Sequence, residues 1–271
     1  MGPPDFRLLR SVACILPAIL TWSAFLAACS TSSSPALSSE TDIVIFVDFT
    51  QSVPKEDFAL YGQDLTNQII PSLSMGDHLL IAPITDTTLT EFRPLVEVNL
   101  PEQPGFNGLL DNFLKYKKQS REKETQAAQL KEKTREQVVK LFSRRLTSSE
   151  TDIFSSALLA QKLFHNEHRR KVLVLMSDMI EDYPPYRFEN MSWGPATTER
   201  LLTELEAKGR IPDLSGVCIY VSGASARSAE LAENIQGFWF AYFQRAKANV
   251  HPSRYAHALL HWPPSQGCLP R

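Results

Sequence analysis

The chain has 271 residues, 43% hydrophobic and 21% charged, with a formal net charge of −2. That is ordinary globular composition, enough for one generous domain with appendages, and it gives no overall basic field for nucleic acid. The four cysteines, Cys14, Cys29, Cys218 and Cys268, show no CxxC or Cys/His spacing. Zinc is therefore disfavoured and no disulfide framework is implied; Cys218, inside an apolar run, reads as a core residue.

Residues 1–28 read as a secretory signal, with Arg7 and Arg10 ahead of a largely apolar stretch over 11–28. Leu26-Ala27-Ala28-Cys29 resembles the lipobox of bacterial lipoproteins, where cleavage precedes the cysteine and its sulfur receives a diacylglycerol. The alternatives are an ordinary A-x-A-type cleavage or an uncleaved anchor, for which about 18 residues is barely long enough. Residues 29–40 hold STSSSPALSSE after the cysteine, which cannot bury a core and favours the lipobox reading as a flexible tether. Ser30, with no Asp at that position, resembles the default outer-membrane sorting of Gram-negative bacteria. The implied location is the bacterial cell envelope, lipid-anchored at Cys29, at the outer rather than the inner membrane.

The globular part is expected over residues 41–250. It opens with TDIVIFVDFTQS, five apolar residues in a row ending in Asp48, then hydroxyls at Thr50 and Ser52. A continuous β-branched run of this length reads as a strand buried on both faces. Residues 54–70 read as a helix with Pro at its start, and 79–82 as a second buried strand. Residues 92–100 alternate at Val96, Val98 and Leu100 with Pro94 inside, the pattern of an antiparallel edge strand. A long charged helix is expected over about 107–146, free of Gly and Pro from residue 109 to 142, and most simply a solvated face or else an arm standing away from the sheet. A helix over 153–165 precedes the apolar strand 171–176, which is followed by Asp178 and a long aromatic loop to Pro195. A helix over 197–208, a strand over 217–221 and an aromatic helix over 225–247 complete the pattern. Residues 251–271 are expected as a C-terminal tail, with one more short element about 255–262. This order predicts a doubly wound α/β fold, mostly parallel, with one antiparallel edge strand and helices on both faces.

Asp48 and Asp178 each follow an apolar strand, so a parallel sheet puts both at one edge, where ligands of α/β folds collect. Oxygen ligands of this kind suit a hard divalent cation, Mg²⁺, Ca²⁺ or Mn²⁺. Asp48-Phe49-Thr50-Gln51-Ser52, with Thr151 and with Asp178 in MSDM, resembles the metal-ion-dependent adhesion site of von Willebrand factor A-type domains. The family motif is Asp-x-Ser-x-Ser, and Thr50 preserves the hydroxyl of the first Ser. The resemblance spans about residues 41–247. It implies metal ligation by Asp48, Thr50, Ser52, Thr151 and Asp178, with Asp182 in support, and one coordination position left for a partner protein's Asp or Glu carboxylate.

Blander readings stand beside this one. Asp48, Thr50 and Ser52 can cap the next helix, Asp178 can serve a loop turn, and Thr151 can face water beside a capping box made by Ser149 and Asp152. The expected function is a membrane-anchored, metal-dependent protein-binding domain for adhesion or scaffolding, not an enzyme. One alternative is a metal-free interaction module of the envelope. A remoter one is a haloacid-dehalogenase-like phosphohydrolase, whose chemistry wants a second Asp two residues after the nucleophile where this chain has Thr50.

Overall fold

The computed structural model describes residues 40–50, 53–106, 108, 112–144, 148 and 150–264. Cys29, Ser52, Cys268 and the expected signal segment lie outside the described residues. Six strands form the main sheet: β1 (Thr41–Asp48), β2 (His78–Ile84), β3 (Val96–Asn99), β4 (Arg170–Met176), β7 (Val217–Ser222) and β8 (Tyr255–Ala256). Their order is β3-β2-β1-β4-β7-β8. Every pairing within this sheet is parallel except β2 with β3, and β5 (Asp182–Tyr183) and β6 (Tyr186–Arg187) form a separate antiparallel pair. The fold is therefore the doubly wound α/β arrangement, with its one antiparallel strand at the edge.

Alternation along the strands divides the core into two layers. Ile43, Ile45 and Val47 of β1 face one side with Tyr61, Leu65 and Val138; Val44 and Phe46 face the other with Phe154, Leu205 and Trp239. The first layer is roofed by α1 (Lys55–Asp64), its continuation through a π-helical turn (Leu65–Ile69) into α2 (Ile70–Ser72), and α3 (Phe113–Ser143). The second is roofed by α4 (Ile153–Leu163), α5 (Pro195–Ala207) and α6 (Ala229–Arg245). Phe238, Trp239, Tyr242 and Phe243 of α6 are all fully buried, so its aromatic stripe is core.

Three expectations are corrected. Residues 251–264 pack on the domain, past its expected end at 250, and include the short element expected about 255–262. They carry β8, bury Leu259, and send the Leu259 N–H to Asp64 and the Trp262 indole N–H to Ser72. β8 is two residues long, too short to leave an apolar run in the sequence. The long helix begins at Phe113, capped by the Asn112 side chain, later than residue 107. Cys218 is buried as expected but is also disulfide-bonded, its partner lying outside the described residues. A bond between cysteines brought together only by folding leaves no spacing signature.

Candidate functional site at the carboxyl edge of the sheet

The register sets the site. Val47 of β1 lies opposite Met176 of β4, so the residues that follow, Asp48 and Ser177-Asp178, emerge side by side at the carboxyl edge. Asp48 is fully buried. Its Oδ1 accepts from the Thr50 N–H at 2.9 Å and from the Thr50 hydroxyl at 2.7 Å. Its Oδ2 accepts from the Ser177 hydroxyl at 3.0 Å, with Thr151 Oγ1 at 3.4 Å. Thr151 Oγ1 also lies 3.3 Å from Thr50 Oγ1. Asp178 is 7% exposed, and its Oδ1 accepts from the Ile180 N–H at 2.9 Å.

Three loops are laced together to hold these groups. The loop after β1 pairs with the one before α4 through Thr50 and Ser148, and that second loop pairs with the one after β4 through Thr151 and Asp182. Thr151 is buried, so it does not face water. The neighbouring Asp152 caps α4 instead, accepting from the Ser155 N–H and taking Arg210 as its ion partner. Helix α1 starts after Pro54 with no side-chain cap, which removes the capping alternative for Asp48 and Thr50. Asp178 does serve its own loop through Ile180 as well as joining the edge. Asp182 supports the site by its backbone, not its carboxylate: its N–H donates to the Thr151 carbonyl, while its side chain turns outward to Arg187.

Ser177 was not singled out by the sequence, and it is the hub of the edge. Its buried hydroxyl donates to Asp48 and accepts from the Met179 N–H at 3.0 Å. A Ser just before the strand-terminal Asp was the available signal. Glu181 is fully buried as well, and nothing in its local sequence marks it. One of its oxygens accepts from the Ile153 N–H at the start of α4, and the other has no hydrogen-bond partner.

The electrostatics are those of crowded carboxylates. Burial pushes the Asp48 carboxyl up, opposed by its hydrogen bonds from Thr50, Ser177 and Thr151. Burial, and then the charge of Asp48, pushes Asp178 up to about 7. Burial also raises the Tyr61 phenol, with further contributions from Asp178, Asp48, Asp57 and Asp64. The Tyr61 hydroxyl is buried without a hydrogen-bond partner. Among the described residues neither Asp48 nor Asp178 has an ion-pair partner. Nor do three His, Cys, Asp or Glu side chains gather there into a metal cage. The convergence is of two carboxylates with alcohols. A cleft of about 530 Å³ opens beside Asp178, walled by Asp57, Glu181, Asp182 and Glu189 against Arg187 and Arg227.

A six-stranded, mostly parallel sheet with one antiparallel edge strand and helices on both faces is the doubly wound arrangement expected from the sequence. No family model matches the sequence, and no curated protein matches it. The solved structures that are similar in part include these two. One is an aerotolerance-related membrane protein from Bacteroides fragilis, at 12% identity over 68% of this chain and 67% of that one, with a TM-score of 0.30. The other is a von Willebrand factor type A protein from Catenulispora acidiphila, at 13% identity and a TM-score of 0.32, over 78% of this chain but only 43% of that one. Strand order and register, not these overlaps, define the fold described above.

Proposed function

We propose that this chain is a lipid-anchored protein of the bacterial envelope whose domain binds a protein partner through a divalent cation. The cation would be Mg²⁺, Ca²⁺ or Mn²⁺, held by Asp48, Thr50, Thr151 and Asp178, with Ser52 as the further hydroxyl of the motif. The observation that carries this reading is the burial of two adjacent carboxylates with no ion partner among the described residues. Like charges placed together away from water are unfavourable unless they share a proton or a cation. The donor set is all oxygen, as a hard cation requires.

When bound, the cation would supply an electrostatic anchor for a partner's Asp or Glu carboxylate. The chain's own residues do the rest. Ser177 and the Thr50 N–H orient Asp48, the Ile180 N–H orients Asp178, and the Thr151–Asp182 pairing holds the later hydroxyl in place. The cleft beside Asp178 gives a partner segment room to lie. A phosphohydrolase is disfavoured because Thr50 stands where the acid/base carboxylate is needed. The disulfide at Cys218 supports an oxidising compartment, in keeping with the secretory reading of residues 1–28.

A metal-free interaction module is the second reading, favoured by the four hydrogen-bond donors that already surround Asp48. Calorimetric titration with each cation separates the two. Heat with wild type and none with Asp48→Asn supports the cation site. No heat from wild type at pH 8, above the value of about 7 for Asp178, sinks it.

A further inference from the structure

Helix α3 is longer than the sheet it covers. Phe142, near its end, packs on Phe49 and Phe58 at the carboxyl edge. Eleven residues earlier the Lys131 ammonium donates to the Pro71 carbonyl, in the chain that leads into β2 at the opposite edge. Ala127 is the last residue toward the start of the helix that is buried in the core, and what precedes it runs past the sheet. No residue from 113 to 126 is buried, a free length of about 20 Å at the α-helical rise.

The overhang leaves by a definite end. β3 is antiparallel and finishes at Asn99 opposite His78, which is itself opposite Asp42 at the start of β1. The chain enters β1 at Thr41, so the overhang leaves from the edge where the domain's first strand begins, remote from Asp48 and Asp178. The tip carries exposed apolar groups, Phe113 at 60%, Leu114 at 74% and Phe106 at 48%. Phe106 meets Phe113 and Tyr116 at centroid distances of 6.3 and 4.8 Å. Beside them stand Lys115, Lys117, Lys118, Arg121 and Lys123 against only Glu122 and Glu124, a locally basic end on an acidic chain.

We propose that this tip is a second membrane contact, with its aromatic and leucine side chains among the headgroups of an anionic bilayer and its lysines paired with their phosphates. Aromatic residues favour that interface, and each cation near an anionic surface adds attraction. Tether and tip together then stand the domain upright, with its carboxylate edge turned away from the lipid. Twelve tether residues span at most about 40 Å, ample for a tip about 20 Å below the sheet to reach the surface. The inference rests on the anchored reading of Cys29.

The test uses the full lipidated chain on vesicles of phosphatidylcholine, with and without phosphatidylglycerol. Amine labelling followed by peptide mass spectrometry reads Lys115 and Lys117, with Lys55, exposed at the opposite edge, as the internal reference. On phosphatidylglycerol vesicles the two tip lysines should label about fivefold more slowly, and Lys55 should not change. A Phe113→Ser/Leu114→Ser variant, altered only at exposed positions, should float with the vesicles yet lose the slowing. Equal rates on both vesicles overturn the proposal, as does slowing that appears only when envelope proteins are added, which would make the occupant a protein. A chain that fails to float with neutral vesicles refutes the anchor instead. The tip then stands if phosphatidylglycerol restores flotation and falls if it does not.

Discussion

Replacing Asp178 with Asn should make the cation-free protein more stable at alkaline pH. Asp178 is 7% exposed, and its carboxyl is raised from an ordinary 3.8 to about 7, first by burial and then by Asp48. An acid whose folded value lies above its unfolded one stabilises the fold while it holds its proton. That contribution is complete below 3.8 and is lost as pH rises through about 7. At 1.36 kcal/mol per pH unit the interval sets a ceiling of about 4 kcal/mol, and loop relaxation brings the expectation to about 2–4. Asn keeps the oxygen that accepts from the Ile180 N–H and carries no charge to bury. Urea unfolding in chelator at pH 5 and pH 8 reads the effect. The variant should lead by at most about 1.6 kcal/mol at pH 5 and by about 2–4 kcal/mol at pH 8. Glu181, Asp64 and Asp77 are raised in the same direction by burial, but they are common to both proteins and cancel in the difference. Adding Mg²⁺ at a hundred times its dissociation constant should help wild type alone, by about 2.7 kcal/mol. A variant no more stable than wild type at pH 8 refutes the account of a strained carboxylate pair.

Other substitutions probe the frame around the pair. Gly223 has φ +102°, and a Cβ there would fall 2.0 Å from the Tyr61 hydroxyl, so Gly223→Ala should cost about 3 kcal/mol in chemical denaturation. Tyr61→Phe removes a buried hydroxyl that has no partner and should gain about 1 kcal/mol. Combined with Gly223→Ala it should recover only part of the loss, since the Tyr61 ring carbons would still lie 2.7 Å from that Cβ. Ser177→Ala strands the Met179 N–H and takes a donor from Asp48; a loss of about 1–3 kcal/mol is expected, together with weaker cation heat in calorimetry.

Much of this architecture is written in strand hydrophobicity. β1, β2, β4 and β7 are buried on both faces, which forces continuous apolar runs and places Asp48 and Asp178 where those runs stop. Residues whose role depends on a neighbour from elsewhere were not legible. Ser177 matters because Asp48 lies beside it, and Glu181 because it meets the first N–H of α4. Asp64 is locally one more polar residue of α1, yet it accepts from Ser222 and Leu259, more than 150 residues away. For the same reason the segment after Val250 resembled a tail: its few apolar residues are fixed by partners on α1, α2 and β7, not by any periodicity of their own.

Both margins of the sheet are guarded against strand addition. β3 has only four residues, two of them exposed polar side chains, and α3 lies against it. On the far side, Asn249 occupies the lower stretch of β7 and β8 the upper, so little of that backbone is left to pair with another chain. Molecules tied to a common surface meet far more often than molecules in bulk solvent. With its rims closed in this way, such a domain can be crowded in two dimensions without stacking edge to edge into fibres.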